Sequence, residues 1–278
     1  MNSEMERDEY VAQVWRSYMT GAPPPEGFSL PWYERSFLRP LARVLPSDPR
    51  CQICYYPFEG LGGALVRTLM HLERSTMNPH LCNVCERFAE SFPGGVEIEV
   101  SLLFVDIRDS TPLAESMDAT SYSRLIDRFY QVATNAVYRY GGLVEKLVGD
   151  EVVSFFPPAF AKDGNHARAA VDAARDILSE TGHGSSEGPW VPVGAGVHTG
   201  QAFVGAVGEP GKNLNITVLG DNVNVGSRLA GQARTGEIVI SLPALQAADL
   251  QPQAMEQRTL KLKGKEAPVT AWVETVGS

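Results

Sequence analysis

Asp106, Asp150 and four cysteines are the residues of this chain whose types and spacing most directly suggest chemistry. Asp106 ends the apolar run SLLFVD, so a charge appears where the chain leaves its core. Asp150 sits in the turn of a predicted hairpin, Gly149-Asp150. If the strands carrying them are neighbours, the two carboxylates meet at one sheet edge. Two hard oxygen ligands there suit Mg²⁺ or Mn²⁺. The segment from Ile107 to Thr111 lies between a strand and a helix, where free backbone N–H groups could cradle a phosphate. Taken singly, an aspartate at either place also serves as a helix cap or a turn residue. Asn224 and Arg228 stand four apart in a predicted helix, so both project from one face.

The cysteines form two pairs, Cys51/Cys54 and Cys82/Cys85, in the pattern C-x2-C-x27-C-x2-C with no thiol left over. Four thiolates satisfy tetrahedral Zn²⁺. The insertion is longer than in common zinc ribbons, and loop-closure entropy grows slowly enough with length to allow it. His71 and His80 lie nearby, but a complete thiolate set leaves them no position. Buried reduced thiols, a redox pair or an iron–sulfur cluster would use the same residues. A saturated site of this kind has no open coordination position, so its expected role is structural.

The elements that must place these groups follow from periodicity and breakers. Residues 4–20 and 32–44 read as helices, and 84–92 as another that ends at Pro93-Gly94-Gly95, the expected boundary. This divides the chain into an N-terminal helical region (1–50), a four-cysteine module (51–93) and a larger domain (96–278). Beyond the boundary, 96–105 is strand-like, and 120–140 is a helix with Leu125, Phe129, Val132 and Ala136 on one face. Strands 143–148 and 152–156 flank Gly149-Asp150. A helix over 165–179 aligns Ala167, Ala170, Val171, Ala174 and Leu178. VGAGVHTGQAFVGAVG (193–208) reads as a hairpin turning at Thr199-Gly200. A helix from Asp221, a strand at 237–241 and a closing strand pair complete an α+β pattern. Lys146 is expected on the same strand face as Val144 and Val148. His198, just before the expected turn, reads as a structural hydrogen-bonder rather than a base.

With 278 residues and 44% hydrophobic composition the chain can bury a substantial core. Its net charge of -9 disfavours broad attraction to nucleic acid or anionic membrane, and no apolar run approaches the roughly 20 residues of a membrane span. A cytoplasmic setting is the expectation.

Four segments, LFVDIRDST, VEKLVGDEVVSFF, GVHTGQAFVGAVG and VLGDNVNVGSRLAG, occur in this order and resemble the signature of class III adenylyl and guanylyl cyclases over about residues 96–278. The resemblance implies a ferredoxin-like βαββαβ core acting as a head-to-tail homodimer with shared active sites. It further implies two metal ions held by Asp106, Asp150 and the Ile107 carbonyl, with Asn224 positioning the ribose and Arg228 stabilising the transition state. Lys146 and Thr217 would read the purine and Lys263 would contact the triphosphate, with Lys261 and Lys265 as neighbours able to do the same. Guanylyl cyclases usually place a glutamate where Lys146 stands, so the implied reaction is ATP to cyclic AMP and pyrophosphate, for signalling. Thr217 departs from the aspartate of well-known adenylyl cyclases, which leaves GTP as an alternative substrate. A catalytically silent cyclase-like partner would typically lack one of the residues retained here. A zinc-dependent nucleic-acid binder is disfavoured by the acidic balance.

Overall fold

The computed structural model describes residues 2–29, 45, 49–51, 53–75, 81–209, 212, 214–261 and 268–277. Its elements are α1 (Asn2–Thr20), α2 (Gly60–Met70), α3 (Asn83–Ser91), β1 (Gly94–Ile107), α4 (Ser110–Glu115), α5 (Ala119–Arg139), β2 (Leu143–Val148) and β3 (Glu151–Phe156). They continue through α6 (His166–Glu180), β4 (Val193–Val207), β5 (Asn215–Leu219), α7 (Asp221–Ala230), β6 (Glu237–Ser241), α8 (Leu242–Ala247), β7 (Glu256–Leu260) and β8 (Val269–Thr275). The expected helix at 32–44 lies outside the described residues, as does Lys263. None of the described helices is long and apolar enough to cross a membrane.

The chain divides into two compact units, one of Met1–Ile98 with Phe203–Val218 and one of Glu99–Ala202 with Leu219–Ser278. In the first, α1 buries Val11, Val14, Trp15, Tyr18 and Met19, a stripe at helical spacing. Phe88 of α3 stacks on Tyr18 at 4.8 Å and meets the edge of Trp15 at 5.1 Å, while the Trp15 Nε1–H donates to the Phe92 carbonyl at 2.8 Å.

In the second, the succession β1–α5–β2–β3–α6–β4 is the βαββαβ core. The sheet runs β2-β3-β1-β4-β6-β8-β7. β3 is antiparallel to both β1 and β2, and β6 is parallel to β4. Phe129, Ala133, Ala136 and Val137 of α5 are buried, as is the whole alanine-rich stripe expected on α6. Small side chains let these helices approach the sheet closely. The α6·β3 side of the core includes fully buried Phe156, Ile177 and Leu178. Asp118 caps α5 by accepting from the Thr120 and Ser121 amides at 3.0 Å each, and Asn165 caps α6.

Two expectations are corrected. Residues 193–207 form one continuous strand with no hairpin turn at Thr199-Gly200. Polar residues and glycines suggested a turn, but His198 and Thr199 are buried and spend their polarity on hydrogen bonds inside the molecule. Thr199 Oγ1 lies 2.6 Å from Ser101 Oγ, which also meets His166 Nδ1 at 2.9 Å. In β2 the register shifts between Val144 and Lys146. Strict alternation is lost there: Val144 is buried, whereas Lys146 and Val148 are exposed.

Candidate active site

β1 and β3 bring the two aspartates to one end of the sheet. Asp106 is the direct antiparallel partner of Glu151, and the Ile107 amide donates to the Asp150 carbonyl at 3.1 Å. Gly149, in the turn, has φ +62, a conformation that favours glycine. The Tyr130 hydroxyl on α5 donates to its carbonyl at 2.8 Å, bracing the turn that carries Asp150.

Negative charge at this edge is felt by several neighbours. Burial and the Asp150 carboxylate push the Glu151 carboxyl up. The same two causes raise the hydroxyls of Tyr122 and Tyr130. Arg108 faces Asp106 through Nη2, while its Nη1 donates to the Ala230 and Ala233 carbonyls at 3.2 Å. Burial lowers the pKa of its guanidinium, and the charges of Asp150, Asp109 and Glu151 act against that. A concentration of carboxylates that raises the pKa values of its neighbours suits a hard divalent cation, so the residues fit one.

A cavity of about 330 Å³, lined by Ser110, Thr111, Ala114, Glu115 and Tyr122, adjoins the loop after Asp106. The expectation of free amides over residues 107–111 holds only in part. The Ile107 amide is used by Asp150, and that of Arg108 donates to the Pro192 carbonyl at 2.8 Å.

On α7, Val225, Gly226, Leu229 and Ala230 form the buried face. Asn224 is exposed and Arg228 half-buried. Among the described residues no hydrogen bond or ion pair occupies the Arg228 guanidinium, so it is available to an anion. Gly220 opens the helix at φ +136. Lys146 is exposed on β2, its Nζ 3.2 Å from Glu145 Oε2. Thr217 stands half-buried on β5, in the N-terminal compact unit. Within a single chain, then, β1 and β3 bring Asp106, Ile107 and Asp150 together, and α7 carries Asn224 and Arg228.

Residues 96–275 match the family model described as "Adenylate and Guanylate cyclase catalytic domain". The chain belongs to this family. An adenylate cyclase of Anabaena cylindrica is 25% identical to this cyclase chain over 221 residues, 75% of this chain and 43% of the relative. An uncharacterized protein of Mycobacterium tuberculosis is 32% identical over 182 residues, 63% of this chain and 32% of the relative. The chain thus spans less than half the length of these curated relatives. Among solved structures, the guanylyl cyclase Cya2 has a TM-score of 0.58 at 26% identity, covering 66% of this chain and 96% of that one. The adenylyl cyclase CyaB from P. aeruginosa has a TM-score of 0.56 at 25% identity, covering 66% and 95%. The α+β core is therefore that of a class III nucleotide cyclase.

Ahead of the cyclase domain, Cys51, Cys54, Cys82 and Cys85 are all buried, and their sulfurs lie within 4.8 Å of one another. Cys54 Sγ and Cys82 Sγ are 3.7 Å apart. Ligands about 2.3 Å from a tetrahedral zinc would be separated by about 3.8 Å, so the geometry fits that ion. The Cys82 amide donates to Cys51 Sγ and the Cys85 amide to Cys82 Sγ, each at 3.3 Å. Burial opposes ionisation of Cys51, yet hydrogen bonds from the other three cysteines hold its thiol well below the usual value. Burial and the hydrogen bond with Cys51 raise Cys54, and hydrogen bonds with Cys51 and Cys54 raise Cys85.

Arg108, Tyr122 and Tyr130 were not singled out by sequence reasoning. The local signal for Arg108 is its place two residues after Asp106. Nothing local in the α5 sequence marks the two tyrosines, whose relation to Asp150 arises in the tertiary structure.

Proposed function

We propose that the chain is an adenylyl cyclase that forms cyclic AMP and pyrophosphate from ATP as a homodimer, each active site taking its metal ligands from one chain and α7 from the other. The observation that supports this reading is that one chain carries both halves of such a site. A complete pair of metal-ligand candidates, Asp106 and Asp150, lies at one sheet end, and an uncommitted Asn224/Arg228 pair stands on α7. Two Mg²⁺ or Mn²⁺ ions bound at Asp106, Asp150 and the Ile107 carbonyl would acidify the ribose 3′-hydroxyl and neutralise the phosphates. Arg228 presents a guanidinium to charge developing on the α-phosphate, and Asn224 orients the ribose by hydrogen bonding. Lys146 donates to a ring nitrogen of adenine, and Thr217 accepts from its amino group. Lys263 contacts the triphosphate. The four cysteines hold a structural Zn²⁺.

Incubation with ATP or GTP and Mn²⁺, followed by identification of the cyclic product, tests the reading. Cyclic AMP as the main product is expected. Predominant cyclic GMP would move the chain to the guanylyl cyclases, a reading that Thr217 keeps open. No product from either nucleotide would make it a silent cyclase-like module.

A further inference from the structure

His198 lies on β4, 6% exposed, with both ring nitrogens in hydrogen bonds. Nε2 is 2.9 Å from Asn222 Oδ1, and Nδ1 is 2.8 Å from Ser241 Oγ. The Asn222 Nδ2 group donates to the Gln201 carbonyl at 2.8 Å, which turns its oxygen toward the imidazole. Nε2 then donates to the Asn222 carbonyl oxygen, and in the neutral ring Nδ1 accepts from the Ser241 hydroxyl. Ser241 also caps α8, accepting from the Ala244 amide at 3.3 Å. The orientation of the ring is thus held from both sides.

Asn222 is the second residue of α7, the helix that carries Asn224 and Arg228. That helix packs Val225 and Leu229 into a core cluster with Val239, Ala271 and Val273 of the sheet, and its closest approaches are made through small residues. A Cβ on Gly226 would lie 2.7 Å from the Phe104 ring, and one on Gly196 would lie 2.3 Å from the Ala230 amide nitrogen. Glycine contacts allow close approach but offer few side-chain ridges to resist sliding or rotation. A directional bond supplies that resistance. The strand is shaped to receive it, because a Cβ on Gly200 would come within 2.6 to 2.8 Å of the Asn222 carboxamide atoms.

We infer that His198 and Asn222 are positioning residues that hold α7 in the register that presents Asn224 and Arg228 to the reacting nucleotide. This rests on the proposed cyclase reading and extends it to residues that contact neither metal nor substrate. Misplacing a helix by about 1 Å slows chemistry up to about a hundredfold. His198→Ala and Asn222→Ala should each therefore lower kcat between tenfold and a hundredfold, with KM for ATP within about twofold.

Two further comparisons separate positioning from a general structural role. A glutamine side chain can place an N–H where Nε2 stands, whereas asparagine reaches only toward the Nδ1 side. His198→Gln should restore most of kcat and His198→Asn should not. In chain mixing, His198→Ala should regain activity with Asp106→Ala, because one composite site then has intact metal ligands and an intact α7, and should not regain it with Arg228→Ala. Equal loss in the glutamine and asparagine variants would overturn the inference. So would failure of His198→Ala to complement Asp106→Ala under conditions where Arg228→Ala does. If Asp106→Ala and Arg228→Ala fail to complement each other, the shared-site reading falls, and the contrast between glutamine and asparagine still decides the role of His198. Should His198→Ala not fold, Asn222→Ala is read in the same assays with the same outcomes.

Discussion

Asp150 is the charge to which its neighbours respond: Glu151, Tyr122 and Tyr130 are all raised partly by its carboxylate. Removing that charge should abolish metal-dependent cyclisation and return these groups toward their ordinary values. In Asp150→Asn, Mn²⁺ should no longer raise the melting temperature, whereas at 100 times its Kd it should stabilise the parent chain by about 2.7 kcal/mol. An unchanged thermal shift in the variant would remove Asp150 from the metal site. Glu237 makes a different prediction. Burial alone would raise its carboxyl, but paired hydrogen bonds from Arg258, at 2.7 and 2.8 Å, and one from the Arg234 amide hold it below the ordinary value. A depressed carboxyl contributes stability above its unfolded pKa and loses it as pH falls through the folded one. Glu237→Gln should therefore cost about 2–3 kcal/mol at pH 7, and the difference from the parent should shrink below about pH 4. Urea titrations across that range measure it. The aspartates were legible in the sequence because strand ends and turns are marked locally, whereas the Glu237–Arg258 pair joins β6 to β7 across β8 and has no local mark.

Elements were legible where one periodicity dominated. The alanine stripe of α6 and the strands flanking Gly149-Asp150 follow directly from the order of residue types. Glycine misled in two ways. In α2 it hid a helix, because Gly60, Gly62 and Gly63 lower helix propensity. Tertiary packing overrides that cost: a Cβ on Gly63 would come within 2.4 Å of the Phe58 backbone. In β4 glycine suggested a turn, whereas Gly196 and Gly200 instead admit α7 and the Asn222 carboxamide to a continuous strand. The β2 bulge upset the alternation argument for Lys146, because one register shift reverses the faces that follow it. The element-scale prediction concerns Gly226, whose added methyl would meet the Phe104 ring. Gly226→Ala should be destabilised by about 1–3 kcal/mol through overpacking despite the gain in helix propensity. A melting temperature at or above that of the parent would show that α7 is less closely seated.

At the scale of the molecule, Phe203–Val218 belongs to the same compact unit as the N-terminal residues. A segment distant in sequence joins that unit only after the chain has folded, which local patterns do not reveal. The grouping links the cysteine cluster to the proposed purine reader. Thr217 belongs to the same compact unit as Cys51, Cys54, Cys82 and Cys85, so loss of the cluster should disturb nucleotide recognition without removing a metal aspartate. Structural zinc in small modules contributes on the order of 10 kcal/mol to folding, more than the roughly 5–15 kcal/mol stability of a typical domain can readily spare. Stripping the metal with a chelator, or replacing Cys82 with serine, should therefore melt the N-terminal unit first. Calorimetry should resolve this as a separate, lowered transition, while the unit containing β2, β3 and α6 melts near its original temperature. Cyclase activity should fall together with the lowered transition and return when Zn²⁺ is restored to the chelated protein. A chelated chain that keeps its melting profile and its preference between ATP and GTP would show that the four thiols are core residues and that Thr217 is held independently of them.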